Sequence, residues 1–293
     1  NQAKKAYNRL QQIKITPKIK IPRLEVNFVD GPYACLRDAN QEYLIDFINQ
    51  DTNQSEYSVN LKNNHWGKTF HKFFINWDIQ IKDSFGEIIY SHKYNALDKR
   101  VYIAFGSKSL GDTLAWFPYA LEFKKKHNCH VIVSTFWNKF FQNKYPELDF
   151  VEPGTTVPNL YAMYELGWYY DENDNLDGFK QPYDPKQFTL QQTATNILGL
   201  EYKEIIPRIE YQVKDRPIKE KYICISPHAS AGAKYWQHPT GWQEVIDYLN
   251  NKGYKVIQIS KEKHNDSWEN RKLPQGKAFK NIIDKTGDLP IED

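Results

Sequence analysis

The sequence predicts an α/β protein with two Rossmann-like units, the second incomplete, preceded by a small antiparallel β domain. Three observations lead there. Between Leu24 and Asp98, short runs such as YLIDFIN, YSVNLK and GEIIYSHKY alternate apolar and polar residues between DG, DAN, NQDTN and DSFG turns, the period of half-buried strands. From Arg100 the texture becomes continuous apolar strand, polar loop and helical stretch, the alternation of a parallel sheet. The same order returns at YICISP, 222–227.

Taken in chain order, residues 1–23 open as a basic arm, with no Asp or Glu in the first twenty positions, and 24–98 form the small β domain. Residues 99–200 form the first Rossmann-like domain. VYIAFG is its first strand, TLAWFPYALEFKKKH a helix, HVIVST a second strand, WNKFFQNKY a short helix, LDFVEP a third strand and FTLQQTATNILGLE a helix ending at Gly199. The aromatic-rich stretch GTTVPNLYAMYELGWYY has no assigned element. Residues 201–220, with Pro207 and Pro217 among charges, read as a linker. Residues 221–293 begin a second Rossmann-like domain whose helix is GWQEVIDYLNNKG and whose next strand is YKVIQIS; it stops before a full doubly wound sheet is built. That early stop, and Asn in place of Met at the first position, are what a fragment would show.

Composition narrows the function classes. Aromatics make up 15% of 293 residues, against extended disorder. Lys+Arg 39 against Asp+Glu 36 leaves +3, too small a surplus to indicate nucleic acid. No apolar run approaches the roughly 18 residues of a membrane span and no signal peptide opens the chain, so a cytoplasmic protein is expected. The Asn-x-Ser matches at Asn53 and Asn265 are then coincidental. Cys35, Cys129 and Cys224 lie far apart, excluding a disulfide framework or thiolate zinc site, and no metal is expected.

Three constellations could carry chemistry. In the first, FGSKSLGDT at 105–113, Gly111 and Thr113 flank Asp112 where a strand hands over to a helix. Asp112 fits two roles, a helix cap worth about 0.5–2 kcal/mol and a general base for an attacking hydroxyl. The loop matches neither a GxxxxGK[ST] nor a GxGxxG pattern. In the second, SPHASAGAKYW at 226–236, small residues accompany Ser226, His228, Ser230, Lys234 and Trp236, the combination a pyrophosphate needs: close N–H approach and one point charge. A solvent-facing lysine and a loop-anchoring tryptophan explain the same residues. In the third, Thr155, Thr156 and Asn159, with Gln191 and Gln192, set hydroxyls and amides among rings suited to a carbohydrate; turn and capping chemistry accounts for them equally well.

The motifs FGSKSLGDTLAWFPYALEFKKKH, GTTVPNLYAMYELGWYY, FTLQQTATNILGLE and ISPHASAGAKYWQHPTGWQEVIDYLNNKGYKVIQIS resemble those of the bacterial autotransporter heptosyltransferases, relatives of the lipopolysaccharide heptosyltransferases, from about Glu25 to the chain end. The resemblance implies a GT-B pair of domains behind the β domain and inverting transfer of heptose from ADP-heptose to serine hydroxyls of an autotransporter adhesin. Asp112 in the matching LGDT would be the base. Lys234 in the matching AKYW would bind donor phosphate, with Ser226, His228 and Ser230 lining the donor loop. The family's cysteine-ligated iron site has no counterpart among the three isolated cysteines. Two other functions remain open: transfer by the same fold to a surface glycan, and a non-catalytic binding module using the basic arm and β domain. Self-association is a further expectation, from the rings and the β domain.

Overall fold

The structure, a computed structural model, describes residues 21–211, 215, 218–229, 234–260, 263 and 279–288. The basic arm before residue 21 and Ser230 lie outside these residues. The chain divides into two compact units, residues 1–210 and 211–293.

Among the described residues the first unit begins with seven strands in two antiparallel sheets. β1 (Arg23–Asn27), β2 (Tyr33–Arg37) and β5 (Trp66–Lys68) form one. β3 (Tyr43–Asn49), β4 (Gln54–Leu61), β6 (Trp77–Lys82) and β7 (Ile88–Lys93) form the other, in the order β4-β3-β6-β7. The period-two pattern sets its faces: Tyr43, Ile45 and Phe47 point inward opposite Ile79 and Ile81, all buried. On the outer face Asp46 accepts hydrogen bonds from Ser58 at 2.8 Å, Lys82 at 2.5 Å and Ser55. Burial pushes the Asp46 pKa upward, and these bonds outweigh it, holding the carboxyl below its ordinary value.

A four-stranded parallel sheet follows, ordered β10-β9-β8-β11, from β8 (Arg100–Phe105), β9 (His130–Ser134), β10 (Asp149–Phe150) and β11 (Ala162–Leu166). β11 lies inside the aromatic stretch that the sequence left unassigned. Its Tyr164 and Leu166 face the core like apolar strand residues, but the surrounding rings obscure the pattern. The helix expected from Thr113 begins earlier and is split into α1 (Leu110–Trp116) and α2 (Pro118–His127). Ser109 starts α1, and Pro118, lacking an N–H, interrupts the helical ladder and becomes the first residue of α2. The short helix expected around Asn138 is a single 3-10 turn, Asn138–Phe140, and the third strand shrinks to Asp149–Phe150. The Asn138 side chain joins them, accepting from Thr135 N at 3.0 Å and donating to the Val151 carbonyl at 2.9 Å.

One hydrophobic core runs from the antiparallel sheets into the parallel one. Phe28 donates its N–H to the Tyr161 carbonyl at 2.6 Å and accepts from Met163 N at 3.1 Å, extending the parallel sheet beyond β11. Tyr164 donates to the Tyr94 hydroxyl at 3.1 Å across the same seam. α3 (Leu190–Leu198) starts in a capping box: Gln192 N donates to Thr189 Oγ1 at 3.2 Å while Thr189 N donates to Gln192 Oε1 at 3.0 Å. It stops at Gly199, whose φ of +61° lies in the left-handed region. Residues 201–210 then cross the first unit without regular structure, held by Tyr119 OH donating to the Lys203 carbonyl at 2.7 Å and Glu210 N to the Phe140 carbonyl at 2.7 Å.

In the second unit, β12 (Tyr222–Ile225), β13 (Lys255–Gln258) and β14 (Ile283–Asp284) form a parallel sheet in that order. α4 (Gly241–Asn251) covers it, Ile246 packing with Ile225 and Val256. Among the described residues no helix is long and apolar enough to cross a membrane.

Two stability tests follow from the first unit. Burial lowers the pKa of His127 to about 4, and burial lowers those of His71 and His92 as well. A base depressed below its ordinary value of about 6.5 binds fewer protons folded than unfolded, so its contribution is present above that pH and is lost as the pH falls toward 4. Denaturant melts are expected to show the first unit weakening from pH 7 to pH 5, with a shallower slope in His127→Leu; an unchanged slope in that variant contradicts the assignment. Gln192→Ala is expected to destabilise the chain by about 0.5–1.5 kcal/mol through loss of its bond from Thr189 N, and Gln192→Glu, which can still close the box, to retain most of that stability.

Candidate functional site

In the first unit the chain runs from β8 to β9 to β10 on one side and returns with β11 on the other. Strand order therefore reverses beside β8, and in open α/β sheets ligands bind in the crevice at the carboxyl ends of the strands flanking such a reversal. The loop carrying Asp112 leaves β8 at this point. Gly106 N donates to the Leu166 carbonyl at 2.8 Å, closing the loop over the end of β11. A Cβ on Gly106 would lie 2.9 Å from Glu165 Oε1, at the end of that side chain, and 3.4 Å from the Leu166 carbonyl.

The structure separates the two roles open to Asp112. Ser109, not Asp112, is the cap of α1, in extended backbone with its Oγ 3.5 Å from Asp112 N. Asp112 sits in the first turn, partly buried, and its Oδ2 accepts from Ser107 Oγ at 2.6 Å. Ser107 Oγ in turn accepts from Ser109 N at 3.0 Å. Asp112 Oδ1 has no hydrogen-bond partner among the described residues. One oxygen thus orients the carboxylate and the other is available to accept a proton. Thr113 is buried and donates to the Ser109 carbonyl at 3.0 Å, a structural bond. Gly111 is exposed, and a Cβ there would find only Ser109 Oγ, at 3.7 Å.

Several neighbours escaped the sequence reading. Trp137 Nε1 donates to the Lys108 carbonyl at 3.0 Å, and the Lys108 amine lies 5.5 Å from the centre of the exposed Phe136 ring. Trp168, also exposed, sits 6.5 Å from Trp116. The missed signal was positional: STFW follows β9 and GWYY follows β11, so both ring clusters emerge at the same carboxyl edge as Asp112.

The third constellation disperses. Thr155 and Thr156 are exposed in the turn after β10, where Thr155 N donates to the Glu152 carbonyl at 3.1 Å. Asn159 lies at the other edge of the sheet, lining an open hollow of about 520 Å³ with Arg100 and Tyr161 at the amino ends of the strands. The structure does not bring it together with Asp112, because the chain crosses the sheet between β10 and β11. Gln191 accepts from Tyr119 OH at 3.1 Å and donates to the Ile205 carbonyl at 3.0 Å, and Gln192 is engaged in the capping box.

In the second unit, Ser226 and His228 follow β12 directly at its carboxyl end. The His228 ring lies 6.5 Å from that of Tyr235, and Lys234 beside it is exposed. Trp236 meets Trp242 edge-on at 5.6 Å and packs on Gly241, where a Cβ would come within 2.5 Å of its ring. It is an anchor for the start of α4 as well as a 46% exposed surface. The turn after β14 shares this edge and was missed by the sequence reading: Asp284 Oδ1 accepts from Thr286 N at 2.9 Å and Thr286 Oγ1 at 2.7 Å, and Gly287 N donates to the Ser260 carbonyl at 2.8 Å. DKTG behind two isoleucines was its signal.

Comparisons with known proteins bear on the family and the fold. Residues 172–287 match the family model of glycosyltransferase family 9 (heptosyltransferase). The chain is 31% identical over 240 residues to the autotransporter heptosyltransferase BAHTCr of Citrobacter rodentium, covering 79% of this chain and 55% of that protein. It is 31% identical over 237 residues to the autotransporter heptosyltransferase TibC of Escherichia coli, covering 78% and 55%. A third relative, named the inactive autotransporter heptosyltransferase BimC, from Burkholderia thailandensis, is 31% identical over 191 residues, covering 64% and 44%. The chain spans about half the length of the first two curated relatives. Its fold matches the crystal structure of the iron-containing dodecameric glycosyltransferase TibC with a TM-score of 0.78 at 26% identity, covering 94% of this chain and 69% of that one. It matches the dodecameric heptosyltransferase TibC in complex with ADP-D-beta-D-heptose with a TM-score of 0.77 at 26% identity, covering 95% and 72%.

The iron of that structure has no fit here: Cys35 and Cys129 are buried in the first unit and Cys224 is in the second, and among the described residues no group of three His, Cys, Asp or Glu could hold a metal ion. The fold is mixed α/β with parallel and antiparallel sheets, as in TibC. Residues 172–287 thus resemble the glycosyltransferase family 9 (heptosyltransferase) model, and the chain as a whole resembles autotransporter heptosyltransferases in sequence and TibC in fold.

Proposed function

We propose that the protein to which this chain belongs is an inverting GT-B glycosyltransferase that moves heptose from ADP-heptose to serine hydroxyls of an autotransporter adhesin in the cytoplasm, working as an assembly of copies. The observation that carries this reading is the Asp112 carboxylate, tied through Oδ2 to Ser107 and open at Oδ1, at the strand-order reversal. The relatives' names and the TibC complex with ADP-D-beta-D-heptose support the donor and the acceptor class.

In this reading Asp112 Oδ1 accepts the serine proton as the serine oxygen attacks the anomeric carbon. The bond from that carbon to the β-phosphate oxygen breaks, and ADP departs with the electron pair. Lys234, with the backbone N–H groups of the loop after β12, receives the diphosphate charge, and a preorganised cation there stabilises the departing group in the transition state. Ser226 and His228 line that donor loop. Ser107 fixes the direction of the base, since proton transfer needs heavy atoms within about 2.6–3.2 Å. A second reading, a binding module without transfer, has one observation in its favour: a relative is named inactive.

Transfer of heptose from ADP-heptose to an adhesin repeat peptide, followed by mass spectrometry, separates these readings. Asp112→Asn is expected to lower kcat by about 10²–10⁴ with the donor KM little changed. Ser107→Ala is expected to lower kcat less, with Ser107→Thr restoring part of the loss. Full activity in Asp112→Asn overturns the base assignment. Lys234→Ala is expected to weaken ADP-heptose binding at least tenfold by calorimetric titration, and unchanged affinity removes Lys234 from the donor site.

A further inference from the structure

A second hollow in the first unit opens at the sheet edge opposite Asp112. Its volume is about 600 Å³, within the usual range for small-molecule sites of about 300–1,000 Å³. The last turns of α2 and α3 form one side, the β3–β4 turn the other, and residues 73–76 the floor. Both helices run back from the carboxyl edge of the parallel sheet to its amino edge. The length of β8, about 20 Å for 6 residues at ~3.3 Å each, therefore separates this hollow from the Asp112 loop.

The rim is held in place by its own hydrogen bonds. Asn76 Nδ2 donates to Asp51 Oδ1 at 3.2 Å, Gln50 Nε2 donates to Asn76 Oδ1 at 3.0 Å, and Asp51 N donates to Asn49 Oδ1 at 3.1 Å. Asp51 Oδ2, the Asn196 amide and the Tyr183 hydroxyl line the same hollow and have no hydrogen-bond partner among the described residues. On the floor, the Phe74 ring packs against Gly199, where a Cβ would fall 2.0 Å from its Cδ1, and Phe74 N donates to the Ile197 carbonyl at 2.8 Å. The Tyr183 ring is 57% exposed at the mouth.

The charge pattern selects the ligand class. The lining contains one lysine, Lys126, which donates to the Gly199 carbonyl at 2.7 Å and lies 5.3 Å from the Phe74 ring centre, and one carboxylate, Asp51. A cation already committed to a carbonyl and a ring, facing a carboxylate, gives no net attraction for phosphate or another anion. What remains is an aromatic wall with a fixed carboxylate and an open amide. That combination suits a neutral polyol, whose C–H face lies on a ring while its hydroxyls donate to carboxylate and exchange bonds with amide.

We propose that this hollow binds a neutral pyranose sugar. As a role, and resting on the proposed function for that step alone, it holds a sugar already attached to the acceptor while Asp112 serves the next hydroxyl. Titrating the chain with methyl heptoside and with methyl mannoside, read by ¹H–¹⁵N chemical shifts, tests it. Saturable shifts at Asn49–Thr52 and Asn196 are expected, weakened roughly three- to tenfold in Tyr183→Ala and in Asn196→Ala, and unchanged in Asp112→Asn. Both replaced side chains carry no hydrogen bond among the described residues, and thermal melts check that the variants stay folded. No saturable shift, shifts elsewhere, undiminished binding in the variants, or binding of an unglycosylated adhesin peptide at these residues in place of the sugars would overturn the proposal. Sugar binding here with no heptosyl transfer under any condition would fault the proposed function and leave this site standing.

Discussion

Parallel pairing of β8 with a neighbour on each side is the constraint on which the first unit depends. Arg100–Ala104 pair with His130–Ser134 on one flank and Val101–Phe105 with Ala162–Leu166 on the other. Filling both flanks forces the chain to reverse its direction of strand addition, and the reversal leaves a crevice at the carboxyl ends. The amino edge has its own consequence. Phe28 joins the sheet beside β11, so the antiparallel sheets dock where α2 and α3 end. One pairing pattern thus produces two distinct edges, one carrying Asp112 and the other the rimmed hollow.

Hydrogen-bond saturation distinguishes the carboxylates. Asp46 is surrounded by Ser55, Ser58 and Lys82, and Asp78 accepts from Ser91 at 2.6 Å and Gln80 at 2.8 Å. Those groups stitch strands together and have little capacity left for a substrate. Asp112 is partly buried like a structural carboxylate, yet it accepts from one side chain through one oxygen. Ser109 takes over the capping that would otherwise claim it. The serine two residues earlier completes the arrangement, so the spacing S-x-S-x-x-D carries both the cap and the oriented carboxylate.

Much of the first unit was legible because its signals are local. Alternation predicts β3 and β6, the apolar run at 101–105 predicts β8, and Gly199 marks the end of α3 in a left-handed conformation that costs glycine least. The rest depends on contacts distant in sequence. Asn159 seemed to belong with Thr155 by proximity in the chain, but a crossing of the sheet separates them. Gln191 and Gln192 carry the chemistry of a sugar site, yet one bridges Tyr119 to Ile205 and the other closes a capping box. β11 was hidden because its one ring, Tyr164, serves the seam with Tyr94 as well as the strand, and the flanking Tyr161 packs edge-on against Phe28. Pro118 was visible in the sequence, and the helix break it imposes follows from its missing N–H.

The most direct measurement of the central claim is chemical rescue of heptosyl transfer. Asp112→Ala removes the carboxylate and leaves space at the crevice, and added formate supplies a small carboxylate that can accept the serine proton. Formate is expected to restore a measurable part of the lost rate in Asp112→Ala in a concentration-dependent, saturable manner, and to leave Lys234→Ala unimproved. A near-normal rate in Asp112→Ala without formate would contradict the claim that Asp112 is the base at the strand-order reversal.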